Sequence, residues 1–325
     1  MDDQRYSGVR AIVLGASGFI GRWVAHALSA QDAKTFLVVR DRASAEKIFS
    51  QYNARGEIIE TDLANSDVLG ELVQRIRPSI TFNLAGYGVD PSERDEAIAD
   101  QINTRLLDPL CLAVANSRDP GWSGQDIVHV GSAQEYGAIR GNLAEDSIPH
   151  PTTLYGKTKL AGTNLLSACC RQRGLKGVTT RLFTIYGPGE HTGRLLPSLI
   201  ETASTGNHLP LTDGNQARDF TYVEDIAQGL LRLGLAPAKT SSVVNLATGK
   251  LTLVREFIRI ANQVLEISED RLGFDMLPKR TDEMEHSAVS IERLKQWLDW
   301  IPSTSILEGV TRTVAFVQRA RLGSM

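Results

Sequence analysis

Short apolar runs alternate with amphipathic stretches through the first half of the chain. Val9 to Leu14, Thr35 to Val39, Glu57 to Glu60, Ile80 to Leu84 and Asp126 to Val130 are brief, β-prone and bounded by polar or Gly-containing segments, and each reads as a strand. Between them apolar residues recur at helical spacing at about 19–30, 41–53, 65–77 and 93–116. A further helix near 154–173 leads to a sixth strand, Val178 to Phe183. Apolar strands separated by helices form a parallel sheet covered on both faces, so the pattern predicts an α/β, doubly wound architecture. After Gly187-Pro188-Gly189 the rhythm changes. Segment 189–221 carries Gly, Pro, Asn and Asp with weak periodicity, and helices follow near 222–234, 253–266, 290–298 and 304–319, with one short strand at Val243 to Leu246.

Composition narrows the classes without choosing among them. A chain of 325 residues, 42% hydrophobic and 22% charged, holds ample material for a buried core and is neither a disulfide-stapled mini-protein nor a disordered tail. Lys and Arg total 35 against 38 Asp and Glu, a formal charge of −3, so no global bias points to nucleic acid or a membrane surface. Cys111, Cys169 and Cys170 form no paired metal spacing and a poor disulfide framework, which fits a reducing compartment. The six histidines show no metal spacing. The polar, acidic start is unlike a signal peptide, and no apolar run reaches the roughly 20 residues of a membrane span. The expectation is a soluble, cytoplasmic protein with no metal, no nucleic acid and no membrane partner.

Gly15-Ala16-Ser17-Gly18-Phe19-Ile20-Gly21 follows the first strand and opens a helix. Glycines here permit the tight turn, let backbone N–H groups approach a pyrophosphate, and pack helix on sheet. Gly15, Ser17, Gly18, Phe19, Ile20 and Gly21 are therefore candidate contacts of a dinucleotide. The second strand ends in Val39-Arg40-Asp41-Arg42. A carboxylate at such a strand end binds the adenosine ribose, whereas arginines accept a 2′-phosphate, so Arg40 and Arg42 favour NADP(H), with NAD(H) as the alternative. Asp62, beside Leu63, stands where an acid accepts from the adenine amino group or caps the helix starting near Asn65. Leu84, Ala85 and Gly86 end the fourth strand with little bulk against the cofactor. The expected division is a Rossmann-type NAD(P)-binding domain at 1–185, completed by the returning strand near 243–246, and a smaller, mostly helical substrate lobe at 186–325 interleaved with it.

Tyr155 and Lys159 lie four residues apart, on one helix face. A free tyrosine titrates near about 10, and a fixed ammonium beside it favours the phenolate and lowers that value. Ser132 follows the fifth strand, at the sheet edge where doubly wound folds bind ligands. A hydroxyl there hydrogen-bonds a substrate oxygen beside the tyrosine.

Gly15 to Gly21, Asn83-Leu84-Ala85, Ser132 through Tyr136-Gly137, Tyr155 to Lys159, Arg181 to Gly189 and Arg218 to Asp225 together resemble the extended short-chain dehydrogenases/reductases of the nucleotide-sugar epimerase, dehydratase and 4-ketoreductase group, over nearly the whole chain. The resemblance implies Tyr155 as acid/base, Lys159 on the nicotinamide ribose, Ser132 on the sugar oxygen, and Arg218 and Arg280 near the diphosphate of a nucleotide-diphosphate sugar. It also implies a homodimer through the helices near 93–116 and 155–173. Two departures narrow the chemistry. Ala133 and Gln134 stand where family dehydratases carry a polar-acidic pair for proton removal and water loss, and Thr184 replaces an Asn that contacts substrate in many members. The reading that results is an NADPH-dependent 4-ketoreductase. The alternatives are a 4-epimerase with tightly bound NAD, a dehydratase, and a cofactor-sensing protein without catalysis. Glu135 is open between entering the site and anchoring its loop, and His191 between lining the substrate pocket and the surface.

Overall fold

The strand–helix alternation builds a parallel sheet of seven strands. The computed structural model describes residues 5–90, 92–237, 242–279 and 286–322; Arg280 lies outside them. In chain order the elements are β1 (Arg10–Leu14), α1 (Phe19–Ala30), β2 (Lys34–Val39), α2 (Arg42–Gln51), β3 (Glu57–Glu60), α3 (Ser66–Ile76), β4 (Ile80–Asn83), α4 (Glu96–Asp100), α5 (Leu107–Asn116), β5 (Ile127–Ser132), β6 (Asn142–Leu143), α6 (Leu154–Arg173), β7 (Gly177–Leu182), β8 (Thr184–Tyr186), α7 (Leu195–Thr205), β9 (Leu209–Pro210), β10 (Ala217–Tyr222), α8 (Val223–Leu235), β11 (Ser242–Leu246), β12 (Leu251–Leu253), α9 (Val254–Leu265), β13 (Leu272–Gly273), β14 (Ala288–Val289), α10 (Glu292–Leu298) and α11 (Ile306–Leu322).

The sheet runs in the order β11-β7-β5-β4-β1-β2-β3, parallel throughout. Strand order reverses between β1 and β4, and a crevice at such a switch point, past the carboxyl ends of the strands, is where open α/β sheets hold ligands. The period of two along β1 feeds two cores. Val13 packs with Trp23, Val24 and Leu28 of α1 and Val223, Ile226 and Leu230 of α8. Ile12 and Leu14 pack with Leu69 and Val73 of α3, Leu107 and Leu110 of α5, and Leu166 of α6. A third core gathers Tyr186, Leu196, Phe220, Tyr222, Phe257 and Val310, with Phe220 and Phe257 stacked at 4.3 Å.

Two segments depart from the sequence pattern. The single helix expected at 93–116 is broken into α4, a π-helical turn at Gln101–Arg105, and α5. Its cause is Asn103, which is fully buried; its amide donates to Tyr87 O and Thr158 Oγ1 and accepts from Tyr87 N. The wider turn accommodates that inward side chain. Segment 189–221, without clear periodicity in sequence, contains α7 and the strands β9 and β10. Pro197 hides α7 from a reading by propensity, yet as its third residue it falls in the first turn, where a missing N–H is harmless.

Candidate active site

Three loops meet at the carboxyl edge of the sheet. After β1, Gly15 takes φ +74°, and a Cβ there would stand 3.0 Å from Ala85 N, so the turn lies directly on the Leu84–Ala85 backbone. A Cβ on Gly21 would overlap the Gly15 carbonyl oxygen, which fixes how closely α1 follows the turn. Arg22 braces the loop by donating from Nε to Gly18 O and from Nη2 to Ser17 O. Gly18 caps α1 without any side-chain bond, and the first turn holds no acidic residue. Its N–H groups are therefore unclaimed by a side chain at the positive end of the helix dipole, which fits a dinucleotide pyrophosphate. Gly86 lies open to Lys159: a Cβ on it would sit 3.6 Å from the ammonium nitrogen.

At the end of β2, Asp41 caps α2, with Oδ1 accepting from Ser44 N at 3.1 Å. Hydrogen bonds from Ser44 hold its carboxyl below the usual carboxylate range. Arg40 is exposed; Arg42 donates to Ile58 O and pairs with Glu46 at 3.9 Å. Asp62 makes a local turn, accepting from Ala64 N at 3.0 Å ahead of α3, while Leu63 is buried.

The third loop follows β5. Ser132 caps a single 3-10 turn over Ala133–Glu135: its Oγ accepts from Gln134 N, and Glu135 Oε1 accepts from Ser132 N at 2.8 Å. Glu135 is fully buried, and its other oxygen accepts from Thr163 Oγ1 and Arg181 Nε at 3.0 and 2.9 Å. It is an anchor of the loop. Thr153 caps α6, accepting from Gly156 N and donating to Gln134 Oε1 at 2.8 Å. A Cβ on Gly156 would run into the Gln134 carbonyl. The first turn of α6 can therefore lie against the Ser132 loop, and the Ser132 hydroxyl acts on the Tyr155 phenol.

Lys159, one turn further on the same face, is buried and donates to Val130 O at 2.7 Å. Burial lowers its pKa to about 8, against an upward pull from Glu135. Tyr155 behaves contrary to the expectation from sequence. Its pKa is raised, first by burial and then by the charge of Glu135, while the Ser132 hydrogen bond and Arg194 pull it down. The neighbouring ammonium is turned onto a backbone carbonyl, and burial prevails, with the charge of Glu135 adding to it. Tyr155 is thus held as a neutral phenol, a proton donor.

Beside this pair opens a cavity of about 200 Å³. Ser132, Ala133, Gln134, Thr184 and Arg218, all expected from sequence, line it. Its remaining wall includes Arg194, Asp219 and His286, which the sequence did not single out. His191 is exposed and is not among the lining residues. Asp219 is engaged by Thr221, Thr248 and Gly249, accepting from Thr248 N at 3.0 Å and Gly249 N at 2.7 Å.

Residues 11–247 match the family described as "NAD dependent epimerase/dehydratase family". A UDP-glucose 4-epimerase of Azospirillum brasilense is 27% identical across 98% of this chain and 95% of its own. A GDP-6-deoxy-D-mannose reductase of Pseudomonas aeruginosa is likewise 27% identical, over 93% and 94%. Among solved structures, the UDP-glucose 4-epimerase of Thermotoga maritima with UDP-glucose superposes with a TM-score of 0.84 over 96% of this chain and 99% of that one, at 22% identity, a likeness of fold.

Proposed function

Since the chain belongs to the NAD dependent epimerase/dehydratase family, we propose that it reduces a nucleotide-diphosphate 4-keto sugar with NADPH. The observation that carries this reading is Ser132 on the cavity wall at the carboxyl edge of the sheet, with the first turn of α6, which bears Tyr155, packed against its loop. A ketone oxygen placed between the two hydroxyls receives the Tyr155 proton as negative charge builds on it, and Ser132 donates a second hydrogen bond. NADPH supplies the hydride when bound. The unclaimed N-terminus of α1 would hold its pyrophosphate, and Lys159, beside Gly86, its nicotinamide ribose. Ala133 cannot accept a proton, and the side-chain Oε1 of Gln134 is engaged by Thr153. That wall supports reduction over water loss.

The NADPH preference is supported by the end of β2. Asp41 is committed to capping α2, which leaves the exposed Arg40, with Arg42, to meet a 2′-phosphate. Replacing both arginines with alanine is expected to raise the KM for NADPH about 10- to 100-fold, with little change for NADH. Equal effects on the two cofactors in steady-state assays would remove the arginines from this role.

The full-length likeness to a UDP-glucose 4-epimerase favours a second reading, 4-epimerisation with retained NAD. The two part on one assay of nucleotide-stripped protein. Ready exchange and consumption of NADPH with a 4-keto sugar nucleotide supports the reductase, whereas slowly released NAD and interconversion of two epimers without cofactor consumption supports the epimerase. Pairing of two copies through α4–α6 is part of either reading, and it is supported by Ile98 and Leu112, which are 43% and 49% exposed there.

A further inference from the structure

Asn245 interrupts the apolar run of β11 and is fully buried. A buried amide costs stability unless its hydrogen bonds are made, and here they are. Tyr136 donates its hydroxyl to Asn245 Oδ1 at 2.7 Å. Nδ2 donates to Leu143 O at 2.9 Å and to Ser290 O at 3.0 Å. The backbone N–H, on the outer edge of the sheet, donates to Glu145 Oε1 at 3.0 Å. One carboxamide thus ties the end of the Ser132 loop to β6 and to the residue after β14. We propose that Asn245 is a positioning residue for the cavity, fixing the Ser132 loop and the segment that carries His286 to one another.

Both ends of this tie reach the cavity wall. Tyr136 stands between Glu135, which accepts from the Ser132 amide, and Gly137, which lines the cavity together with Ser132. The Arg181 guanidinium lies 4.3 Å over the Tyr136 ring, and Arg181 is the partner of Asn245 in the pairing of β7 with β11. Held at its hydroxyl by one strand and at its face by the next, Tyr136 fixes where the loop before it ends. On the other side, β14 pairs with β6, Val289 opposite Leu143, and Ser290 N donates to Leu143 O at 3.1 Å. His286, two residues before β14, lines the cavity. The two carbonyls that Asn245 grips belong to this pairing. The side chain is specific to the task. Aspartate accepts from Tyr136 but cannot donate to the carbonyls when ionised, and leucine does neither.

The inference rests on the reading that Ser132 meets the substrate oxygen, and not on the choice between reductase and epimerase. Two variants divide the tie: Tyr136→Phe removes only the bond to the loop, whereas Asn245→Ala removes both halves. Hydrogen exchange by mass spectrometry needs no substrate. Tyr136→Phe is expected to speed exchange over 132–138 about tenfold with 286–291 unchanged, and Asn245→Ala to speed both. Turnover is read in whichever assay wild type supports, NADPH oxidation with UDP-, dTDP- or GDP-4-keto-6-deoxyhexose, or interconversion of UDP-glucose and UDP-galactose. Tyr136→Phe is expected to lower kcat about 10- to 100-fold at unchanged KM, and Asn245→Ala also to raise the KM for the sugar nucleotide. A smaller folded fraction would not move KM. Exchange unchanged at 286–291 in Asn245→Ala, or uniformly faster along the chain, overturns the proposal. So does a Tyr136→Phe kcat within about twofold of wild type, below the cost of any misplaced group. Turnover of none of these sugars by wild type refutes the reading of the ligand, and the exchange pattern still decides the tie.

Discussion

Tyr155→Phe is expected to lower kcat about 10²- to 10⁴-fold while leaving the fold and the cofactor affinity intact. The substitution removes one oxygen. The ring keeps its place beside Gly88, where a Cβ would stand 3.3 Å from its Cδ2, and α6 keeps its cap through Thr153 and Gly156. Lost are the proton donor and its interaction with the Ser132 hydroxyl. The interaction strengthens only as charge develops on the substrate oxygen, so the loss falls on kcat and kcat/KM together rather than on KM. Ser132→Ala should cost less, since Ser132 donates a hydrogen bond but no proton. NADPH oxidation in single turnover, alongside cofactor titration by fluorescence, measures both. A Tyr155→Phe variant within a few-fold of wild type would take the proton transfer away from this residue.

The positions of Ser132, Tyr155 and Lys159, to which the proposed reaction is assigned, were readable because their signals are local. A Gly-rich turn after an apolar run, a Ser at the end of another, and a Tyr and Lys at helical spacing need only short-range geometry. The same holds for α6, whose ends are marked by Thr153 and Gly174 and fall where the pattern puts them. What escaped depends on partners far along the chain. The role of Glu135 is decided by Thr163 and Arg181, 28 and 46 positions away. The direction of the Tyr155 shift escaped for a related reason: the spacing shows Lys159, but neither the burial of the ring nor the approach of Glu135 and Glu93. Arg194 and His286 enter the cavity from segments with no periodic or motif signal of their own. The break in the helix at 93–116 likewise needs Thr158 of α6 to receive the Asn103 amide.

Glu135→Ala should destabilise the fold by about 3–5 kcal/mol, more than any change at the cavity wall. Its carboxylate lies within 2.8 to 3.0 Å of the Ser132 amide, the Thr163 hydroxyl and the Arg181 guanidinium. Side-chain exposure is 0% for Glu135 and 3% for Arg181. Truncation strands the guanidinium without a counter-charge and leaves donors of β5 and α6 unanswered, and both are penalised in a low-dielectric interior. Gly131 shows how tightly the carboxylate is built in, because a Cβ there would overlap Glu135 Oε1. The loop bearing Ser132 loses its tie, so activity falls with stability. The double variant Glu135→Leu/Arg181→Met separates the pair from its burial. With neither charge left to desolvate, it should be more stable than Glu135→Ala. Urea unfolding of the three proteins gives the comparison. A loss below about 1 kcal/mol in Glu135→Ala, the range of exposed pairs, would mean that water reaches Arg181 once the carboxylate is gone. The Ser132 loop would then be held by its backbone turn, not by the ion pair beneath it.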